Sequence, residues 1–235
     1  MKNLLVASTS TIFGGHFLQY LLPELKEHFK GINTLLFIPY ARPGGISYDS
    51  YTSIVAEALK DFSFAVKGIH EFDDAKLAID QAEAVFVGGG NTFVLVDQLY
   101  RQDLIKPLKK RLENGIPYLG TSAGSNIVGL SVKTTNDMPI VHPETLEALG
   151  MIPFNINPHY LDPDPDSKHK GETRETRIKE FHSCNNTTVI GLREGSWISV
   201  KDKQMLLKGK FNARIFKQGK APFELPPNSD LQQLI

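Results

Sequence analysis

Cysteine is almost absent from this sequence of 235 residues, and its formal net charge is zero. The single cysteine, Cys184, has no partner for a disulfide bridge within the chain. The 26 basic and 26 acidic side chains balance, so recognition of a nucleic acid through bulk charge is not indicated. The apolar run within residues 1–7 is too short for a signal peptide or a membrane-spanning helix. We therefore expect a reduced, cytoplasmic protein with no nucleic-acid or membrane partner.

Motifs that bind metals or nucleotides are absent or incomplete. No Cys-x-x-Cys or His-Glu-x-x-His spacing occurs, so a metal-dependent hydrolase is not indicated. Gly88-Gly89-Gly90 follows an apolar run, but Phe93 stands where the dinucleotide-binding fingerprint requires its third glycine. The lysine and serine or threonine pair of a Walker motif is also missing. We expect neither a metal ion nor a cofactor.

The first half of the chain predicts strands that alternate with helices. Each predicted strand is a continuous apolar run, which is typical of a parallel sheet covered on both faces. The predicted strands are 3–8, 34–38, 64–69, 84–87 and the run before residue 122, and the predicted helices are 17–29, 47–62, 73–81, 92–100 and 103–114. We expect one α/β domain over residues 1–235, with a doubly wound, mainly parallel sheet.

The second half is less regular. Strands are predicted at 155–157 and 188–192, and a charged helix is predicted at 173–183. A small antiparallel hairpin region is expected from the segments 196–201, 204–207 and 214–217. The tail from 221 to 235 is expected to form an irregular cover.

A turn of small residues follows the fifth predicted strand, and its sequence from Gly120 to Gly124 is Gly-Thr-Ser-Ala-Gly. A serine at such a bend projects its Oγ outward, and the two glycines leave space where a Cβ would crowd the turn. The backbone N–H groups at the start of the next helix point toward the same place. Ser122 is therefore either a nucleophile or, in the plainer interpretation, a helix cap.

The triple glycine at 88–90 lies at another strand end, where ligands bind in parallel α/β sheets. It is either a phosphate-binding turn or an oxyanion-hole loop beside the nucleophile. The incomplete nucleotide fingerprint favours the oxyanion hole.

A nucleophilic serine needs a base, and the base needs a third group that orients it. His159 is the first candidate among seven histidines, because it follows the apolar segment 154–158 at a strand's carboxyl end. Two acids compete for the third place: Glu194 lies beyond a strand end, and Asp137 lies in a polar loop. Spacing alone leaves both open.

Six ordered motifs closely resemble those of the peptidase E family, the α-aspartyl dipeptidases, which are serine peptidases. The resemblance runs from about Leu4 to Phe216, and the motifs are GGGNTF at 88–93, GTSAG at 120–124, TTNDMPIV at 134–141, NINPH at 155–159, HKGETRE at 169–175 and VIGLREG at 189–195. The resemblance implies a flavodoxin-like fold of the class I glutamine amidotransferase type. It also implies hydrolysis of the α-peptide bond after an N-terminal aspartate in dipeptides and some short peptides, through an aspartyl-enzyme intermediate. The partner implied is thus a small peptide with a free amino group.

The resemblance also implies roles for individual residues. Ser122 matches the family's nucleophile, His159 its general base and then acid, and Glu194 rather than Asp137 its third triad member. The backbone N–H groups of Gly90 and Ala123 match the oxyanion hole.

Aspartate specificity depends on one matched arginine. Arg174 matches the family arginine associated with the substrate's side chain, and a guanidinium can hold a carboxylate by two charge-assisted hydrogen bonds. Asn91 is a second candidate contact for the same carboxylate. The plainer interpretation places Arg174 in a salt-bridged helix surface. The loop that includes 162–166 is rich in aspartate and proline, which makes it a candidate lid over the substrate, and the sequence leaves this role open.

Three rival interpretations follow from the same residues. A glutamine amidotransferase needs a cysteine at the elbow, and position 122 is serine. A cyanophycinase has a similar serine elbow and cuts an aspartate-rich polymer at β-linked side chains. A non-catalytic nucleotide- or peptide-binding domain would use Ser122 only as a cap.

Overall fold

Two β-sheets organise the part of the chain that the computed structural model describes, which is residues 1–164, 166, 168 and 171–235. The larger sheet has the strand order β3-β2-β4-β5-β1-β8-β9, and the smaller one has the order β11-β10-β7-β6. The strands are β1 Asn3–Ala7, β2 Thr34–Ile38, β3 Ala65–Gly68, β4 Ala84–Val87, β5 Tyr118–Thr121, β6 Asn155–Pro158, β7 Val189–Leu192, β8 Ser196–Lys201, β9 Gln204–Gly209, β10 Ala213–Phe216 and β11 Phe223–Leu225.

Four of the α-helices begin after a residue whose side chain caps a free backbone N–H group. Asp74 accepts hydrogen bonds from the N–H groups of Lys76 and Leu77, and Thr173 accepts one from Thr176. The α-helices are α1 Leu22–His28, α2 Tyr48–Ala58, α3 Ala75–Gln81, α4 Thr92–Arg101, α5 Ile105–Glu113, α6 Ala123–Asn126 and α7 Arg174–Cys184, and short 3-10 helices occupy Gln19–Leu21, Ile69–Glu71 and Leu231–Leu234. The helix predicted from residue 17 is shorter than expected, because α1 begins at Leu22 with Pro23 in its first turn.

Strands β1 to β5 pair in parallel, and the central strands carry apolar side chains on both faces of the large sheet. Leu4 and Val6 of β1 pack in one core with α3, α4 and α5, whereas Leu5 and Ala7 pack in the other with α1 and α2. The prediction of an α/β fold with a mainly parallel sheet and helices on both faces is confirmed.

The antiparallel hairpin predicted from 196–201 and 204–207 is confirmed by β8 and β9, whereas the third segment, 214–217, corresponds to β10 and lies in the small sheet. β8 pairs antiparallel with β1, and β9 then pairs with β8, so both extend the large sheet. β10 pairs with β7 and β11, while β6 and β7 pair in parallel, which makes the small sheet mixed. The tail contains β11 and a 3-10 helix, so the prediction that it forms an irregular cover was wrong. Apolar runs reveal that a strand is buried but not which strand it pairs with.

No helix in the described ranges is long and apolar enough to cross a membrane.

Candidate active site

Ser122 stands in a strained bend between β5 and α6. Its backbone has φ 53° and ψ −108°, a conformation that non-glycine residues adopt only where the surroundings enforce it. The N–H of Ser122 donates to the carbonyl of Ala7 at 3.1 Å, and Ser125 Oγ donates to the carbonyls of Ala7 and Gly120 at 2.6 and 2.9 Å. These bonds tie the bend to the ends of the two central strands.

The glycines on either side of this bend are required by space. A Cβ added to Gly120 would collide with the carbonyl oxygen of Gly124, and one added to Gly124 would collide with the carbonyl of Val87. The prediction that both glycines make room in the turn is confirmed. The Ser122 side chain does not cap α6, so the plainer interpretation of this serine was wrong.

His159 connects Ser122 to Glu194 by two short hydrogen bonds. Its Nε2 lies 2.8 Å from Ser122 Oγ, and its Nδ1 lies 2.6 Å from Glu194 Oε1. A carboxylate only accepts hydrogen bonds, so the contact with Glu194 places the proton of the neutral imidazole on Nδ1. Nε2 is then the acceptor for the Ser122 hydroxyl, which is the arrangement that general-base activation of a serine requires.

The two sheets meet at this point. His159 follows β6 and Glu194 lies two residues after β7, so both project from the carboxyl edge of the small sheet, whereas Ser122 follows β5 of the large sheet. The strand ends that the sequence assigns to Ser122, His159 and Glu194 therefore belong to two different sheets and not to one. The edges of two sheets face each other instead.

Asp137, the other acid that spacing left open, contacts helix α4 and not His159. Its Oδ2 accepts hydrogen bonds from the N–H of Thr92 at 2.7 Å and from Thr135 Oγ1 at 3.0 Å. A carboxylate at a helix N-terminus interacts favourably with the helix dipole. The structure thus pairs His159 with Glu194 and gives Asp137 a different contact.

The triple-glycine loop lies against Ser122. A Cβ built on Gly89 would come within 3.1 Å of Ser122 Cβ and 3.7 Å of its Oγ. Among the described residues, no acceptor is recorded for the backbone N–H of Gly90 or of Ala123. Two unpaired N–H groups beside a serine hydroxyl have the composition of an oxyanion hole.

A cavity of about 270 Å³ opens beside the serine, and its lining includes Arg174 and Asp137. Arg174 is the first residue of α7 and has no ion-pair partner among the described residues, whereas Arg177 on the same helix pairs with Glu172 at 3.7 Å. Burial lowers the pKa of Arg174, and the negative charges of Glu194 and Asp137 act in the opposite direction. The arginine thus projects a partly desolvated positive charge into the cavity.

Both polar atoms of the Asn91 side-chain amide form hydrogen bonds within the protein. Its Oδ1 accepts the N–H of Val94, which caps α4, and its Nδ2 donates to the carbonyl of Met138 at 2.9 Å. A substrate contact would use its second amide hydrogen. In the candidate lid loop, Pro165, Ser167, His169 and Lys170 lie outside the described residues.

Three polar residues to which the sequence assigns no role support the backbone around His159: Ser8, Asn136 and Asn157. Asn136 Nδ2 donates to the carbonyl of Pro158 at 2.7 Å, and Asn157 Nδ2 donates to Asn136 Oδ1 at 2.9 Å. The available signal was position, because Ser8 directly follows β1 and Asn157 lies in β6 near its carboxyl end. No group of three or more His, Cys, Asp or Glu side chains in the described ranges could hold a metal ion.

Comparison with known proteins gives a consistent result. The model of peptidase family S51 matches residues 4–208. The chain is 48% identical over 233 residues to peptidase E of Streptomyces coelicolor, covering 99% of this chain and 95% of the relative. It is 44% identical over 237 residues to a probable alpha-aspartyl dipeptidase of Drosophila melanogaster, covering 100% of this chain and 98% of that one.

Two solved structures resemble this fold. A putative peptidase E protein from Listeria monocytogenes superimposes with a TM-score of 0.67 at 21% identity, covering 90% of this chain and 100% of that one. A peptidase from an acI-B1 Actinobacterium gives a TM-score of 0.72 at 16% identity, covering 98% and 96%. At these identities the likeness concerns the fold alone.

Proposed function

The chain belongs to peptidase family S51, and we propose that it is a serine dipeptidase that hydrolyses the α-peptide bond after an N-terminal aspartate. Its substrates are Asp-X dipeptides and some short peptides. The observation that carries the proposal is the hydrogen-bonded series Ser122, His159 and Glu194 beside a cavity that contains the positive charge of Arg174. The name of the Drosophila melanogaster relative, a probable alpha-aspartyl dipeptidase, supports the same substrate class.

The reaction begins when Ser122 Oγ attacks the aspartyl carbonyl carbon while His159 Nε2 takes the hydroxyl proton. The carboxylate of Glu194 stabilises the imidazolium that forms and keeps its ring oriented. Negative charge develops on the carbonyl oxygen, and the N–H groups of Gly90 and Ala123 stabilise it.

The same residues complete the acylation step and then hydrolyse the acyl-enzyme. His159 gives its proton to the departing amine, so the peptide bond breaks and an aspartyl ester remains on Ser122. A water molecule then attacks the ester carbonyl while His159 takes a proton from it, and His159 returns this proton to Ser122 Oγ as the ester bond breaks. Free aspartate leaves, and the Ser122 hydroxyl is restored.

Charge complementarity supports an N-terminal aspartate in the cavity. Such a residue carries a β-carboxylate and an α-ammonium group, and the cavity lining contains one arginine and one aspartate, Arg174 and Asp137. Arg174 binds the carboxylate, with Asn91 as a further hydrogen-bond donor. Asp137 binds the ammonium group through Oδ1, to which no described residue donates a hydrogen bond.

The size of the cavity supports removal of a single residue. Its volume of about 270 Å³ lies just below the range of sites for drug-sized molecules, which is about 300–1,000 Å³. One aspartyl residue fits such a volume, with the scissile carbonyl at Ser122 and the remaining peptide outside. The cavity is therefore expected to hold the one residue that is released, and the charges of Arg174 and Asp137 favour an amino-terminal one.

We also propose a domain organisation, a fold type and a cellular location for the chain. The chain forms one domain over residues 1–235, of the flavodoxin-like, class I glutamine amidotransferase type, and it acts in the cytoplasm. The supporting observations are the site at the carboxyl ends of parallel strands and the single, exposed cysteine.

Hydrolysis of four peptides tests the proposal. Wild-type protein and Ser122→Ala are incubated with Asp-Leu, Glu-Leu, β-Asp-Leu and N-acetyl-Asp-Leu, and released leucine is measured. Wild type should cut Asp-Leu, cut Glu-Leu much more slowly and leave the other two intact. Ser122→Ala should cut none of them.

Each deviation has a definite meaning. Cleavage of β-Asp-Leu in preference to Asp-Leu would favour a cyanophycinase-like hydrolase. Binding of peptides without any hydrolysis would favour the non-catalytic domain. Equal cleavage of Asp-Leu by wild type and Ser122→Ala would refute the assigned nucleophile.

A further inference from the structure

The peptide bond between Gly89 and Gly90 is held by two side chains from another part of the chain. Arg42 Nε and the Tyr51 hydroxyl both donate hydrogen bonds to the carbonyl oxygen of Gly89, each at 3.2 Å. The guanidinium of Arg42 also lies over the Tyr51 ring, 5.1 Å from its centroid. A single carbonyl oxygen thus has two side-chain donors, which themselves are in contact.

This carbonyl determines the direction of the predicted oxyanion donor. In a planar trans peptide, the C=O of one residue and the N–H of the next point in opposite directions. The C=O of Gly89 and the N–H of Gly90 belong to the same peptide. Fixing the first by Arg42 and Tyr51 therefore fixes the second, in a loop that lies against Ser122.

The peptide needs such fixing because glycines flank it. Glycine adopts most backbone conformations readily, so a peptide plane between two glycines rotates with little steric resistance. The ends of the loop are bonded to the end of β2 and to the segment after it, through Gly88 N–H to the Ile38 carbonyl at 3.2 Å and Asn91 N–H to the Ala41 carbonyl at 2.7 Å. Within the described residues, the Gly89–Gly90 peptide in the middle of the loop forms hydrogen bonds with side chains only, those of Arg42 and Tyr51.

Gly90 itself shows why a glycine must stand here. Its φ of 145° lies in the region that glycine favours, and an added Cβ would collide with the Ala41 carbonyl. The loop therefore cannot gain rigidity by replacing this glycine with a bulkier residue. The two side-chain donors to the Gly89 carbonyl restrict the peptide instead.

We propose that Arg42 and Tyr51 are positioning residues that hold the Gly89–Gly90 peptide so that the Gly90 N–H points at the developing oxyanion. This inference rests on the proposed acyl-transfer function, because the oxyanion forms only in that reaction. Arg42 also polarises the peptide through a charge-assisted bond, which makes the N–H at its other end a stronger donor. Both effects act when negative charge develops on the substrate oxygen, so they affect the transition state more than the bound substrate.

Kinetics on Asp-Leu test the inference with the variants Tyr51→Phe, Arg42→Met and the double variant. Tyr51→Phe keeps the buried ring that packs on Phe37 and removes only the hydroxyl, so the fold is preserved. Loss of an entire oxyanion donor typically lowers kcat by about 10²–10³-fold, and loss of one anchor should lower it by about tenfold. The double variant should approach the full loss, with KM within about twofold of wild type throughout.

An inhibitor that imitates the transition state supplies a second readout. The boronic acid analogue of aspartate forms a tetrahedral adduct with a serine, and one of its oxygens occupies the oxyanion hole. Its affinity should fall across the variants in parallel with kcat, while the affinity for free aspartate stays unchanged. A merely structural defect would weaken both ligands.

Tyr40→Phe is the matched control. Tyr40 is also a buried tyrosine, and its hydroxyl bonds to Gln102 Oε1 at 3.1 Å instead of the glycine loop. This variant should keep the kcat of wild type.

Wild-type kcat in Tyr51→Phe, Arg42→Met and the double variant, with Asp-Leu still cut, would overturn the inference and leave the proposed function standing. Failure of the wild-type protein to cut Asp-Leu would instead overturn the proposed function.

Discussion

The Ser8 hydroxyl accepts the backbone N–H of His159 at 2.9 Å. The same Oγ donates to the carbonyl of Leu192 at 2.7 Å, two residues before Glu194. Ser8 directly follows β1 of the large sheet, while His159 and Leu192 belong to the carboxyl edge of the small sheet. One buried hydroxyl therefore joins the two sheets at the place where their edges form the site.

Replacement of Ser8 by alanine should lower both stability and turnover. It leaves the half-buried N–H of His159 without its acceptor, at a cost of about 1–3 kcal/mol in the free energy of unfolding. His159 has φ 53°, so its backbone depends on such contacts. We expect kcat on Asp-Leu to fall by roughly tenfold to a hundredfold, because small displacements of a catalytic group are costly.

Ser131→Ala provides a matched comparison for Ser8→Ala. Ser131 is also buried, and its Oγ accepts a hydrogen bond from Asn155 Nδ2 at 2.9 Å, at the amino end of β6. Its loss should reduce stability, measured by denaturant unfolding, without reducing kcat. Equal kcat in the two variants would contradict a specific role for Ser8.

Glu194→Gln and Asp137→Asn should affect different kinetic parameters. Glutamine at 194 no longer stabilises the imidazolium and favours the wrong tautomer of His159, so kcat should fall by about 10³–10⁴-fold. Asparagine at 137 removes the charge proposed to bind the substrate ammonium, so KM should rise while kcat changes little. Steady-state kinetics on Asp-Leu separate the two effects. A larger loss of kcat in Asp137→Asn would reverse the assignment.

Arg174→Ala should abolish the preference for aspartate. Leaving a buried carboxylate without its cation costs about 2–5 kcal/mol, so kcat/KM for Asp-Leu should fall by roughly 30-fold to 5,000-fold. The kcat/KM for Ala-Leu should change little, so the kcat/KM values for Asp-Leu and Ala-Leu should become similar. Arg174→Lys should recover only part of the loss, because lysine lacks the bidentate fork.

Arg177→Ala is the control for this arginine, because it lies on the same helix and its side chain is 61% exposed, paired with Glu172. Its effect on the ratio of kcat/KM for Asp-Leu and Ala-Leu should be negligible, as expected for a surface ion pair. An unchanged ratio in Arg174→Ala as well would refute the specificity assignment.

The sequence predicts the large sheet better than the small one, for a physical reason. Strands such as Thr34–Ile38 and Ala84–Val87 alternate with helices, and βαβ connections leave few ways to arrange them. Val189–Leu192 is equally apolar, but it pairs with Asn155–Pro158 on one side and Ala213–Phe216 on the other. These pairings depend on packing across the whole chain, which no local pattern encodes.

The residues of the site also differ in how far the sequence reveals their positions. Ser122, His159 and Glu194 each lie close to the end of an apolar run, so their positions are visible in the sequence, although their catalytic roles stay predictions. Arg42 and Tyr51 precede the loop that they contact by 47 and 38 residues, and neither belongs to a motif. Supporting side chains of this kind become visible only when the chain is folded.

His28 makes stability depend on pH independently of the site. It is buried at the end of α1, with Nε2 3.0 Å from the carbonyl of Tyr118, and burial holds its pKa at about 4 against an ordinary value of 6.5. Between these values the unfolded chain binds a proton that the folded chain excludes, so stability falls as the pH falls. From about pH 7.5 to about pH 5, the contribution of His28 to the free energy of unfolding should fall by about 2 kcal/mol.

Comparison of His28→Gln with wild type isolates this contribution, because glutamine keeps a donor for the Tyr118 carbonyl and does not titrate. Denaturant unfolding at the two pH values should show a smaller loss in His28→Gln than in wild type, by about 2 kcal/mol. Carboxylates that also titrate in this range contribute equally to both proteins and cancel in the difference. His16→Gln, at an exposed histidine, should keep the wild-type dependence. An identical pH dependence in wild type and His28→Gln would contradict proton exclusion at His28.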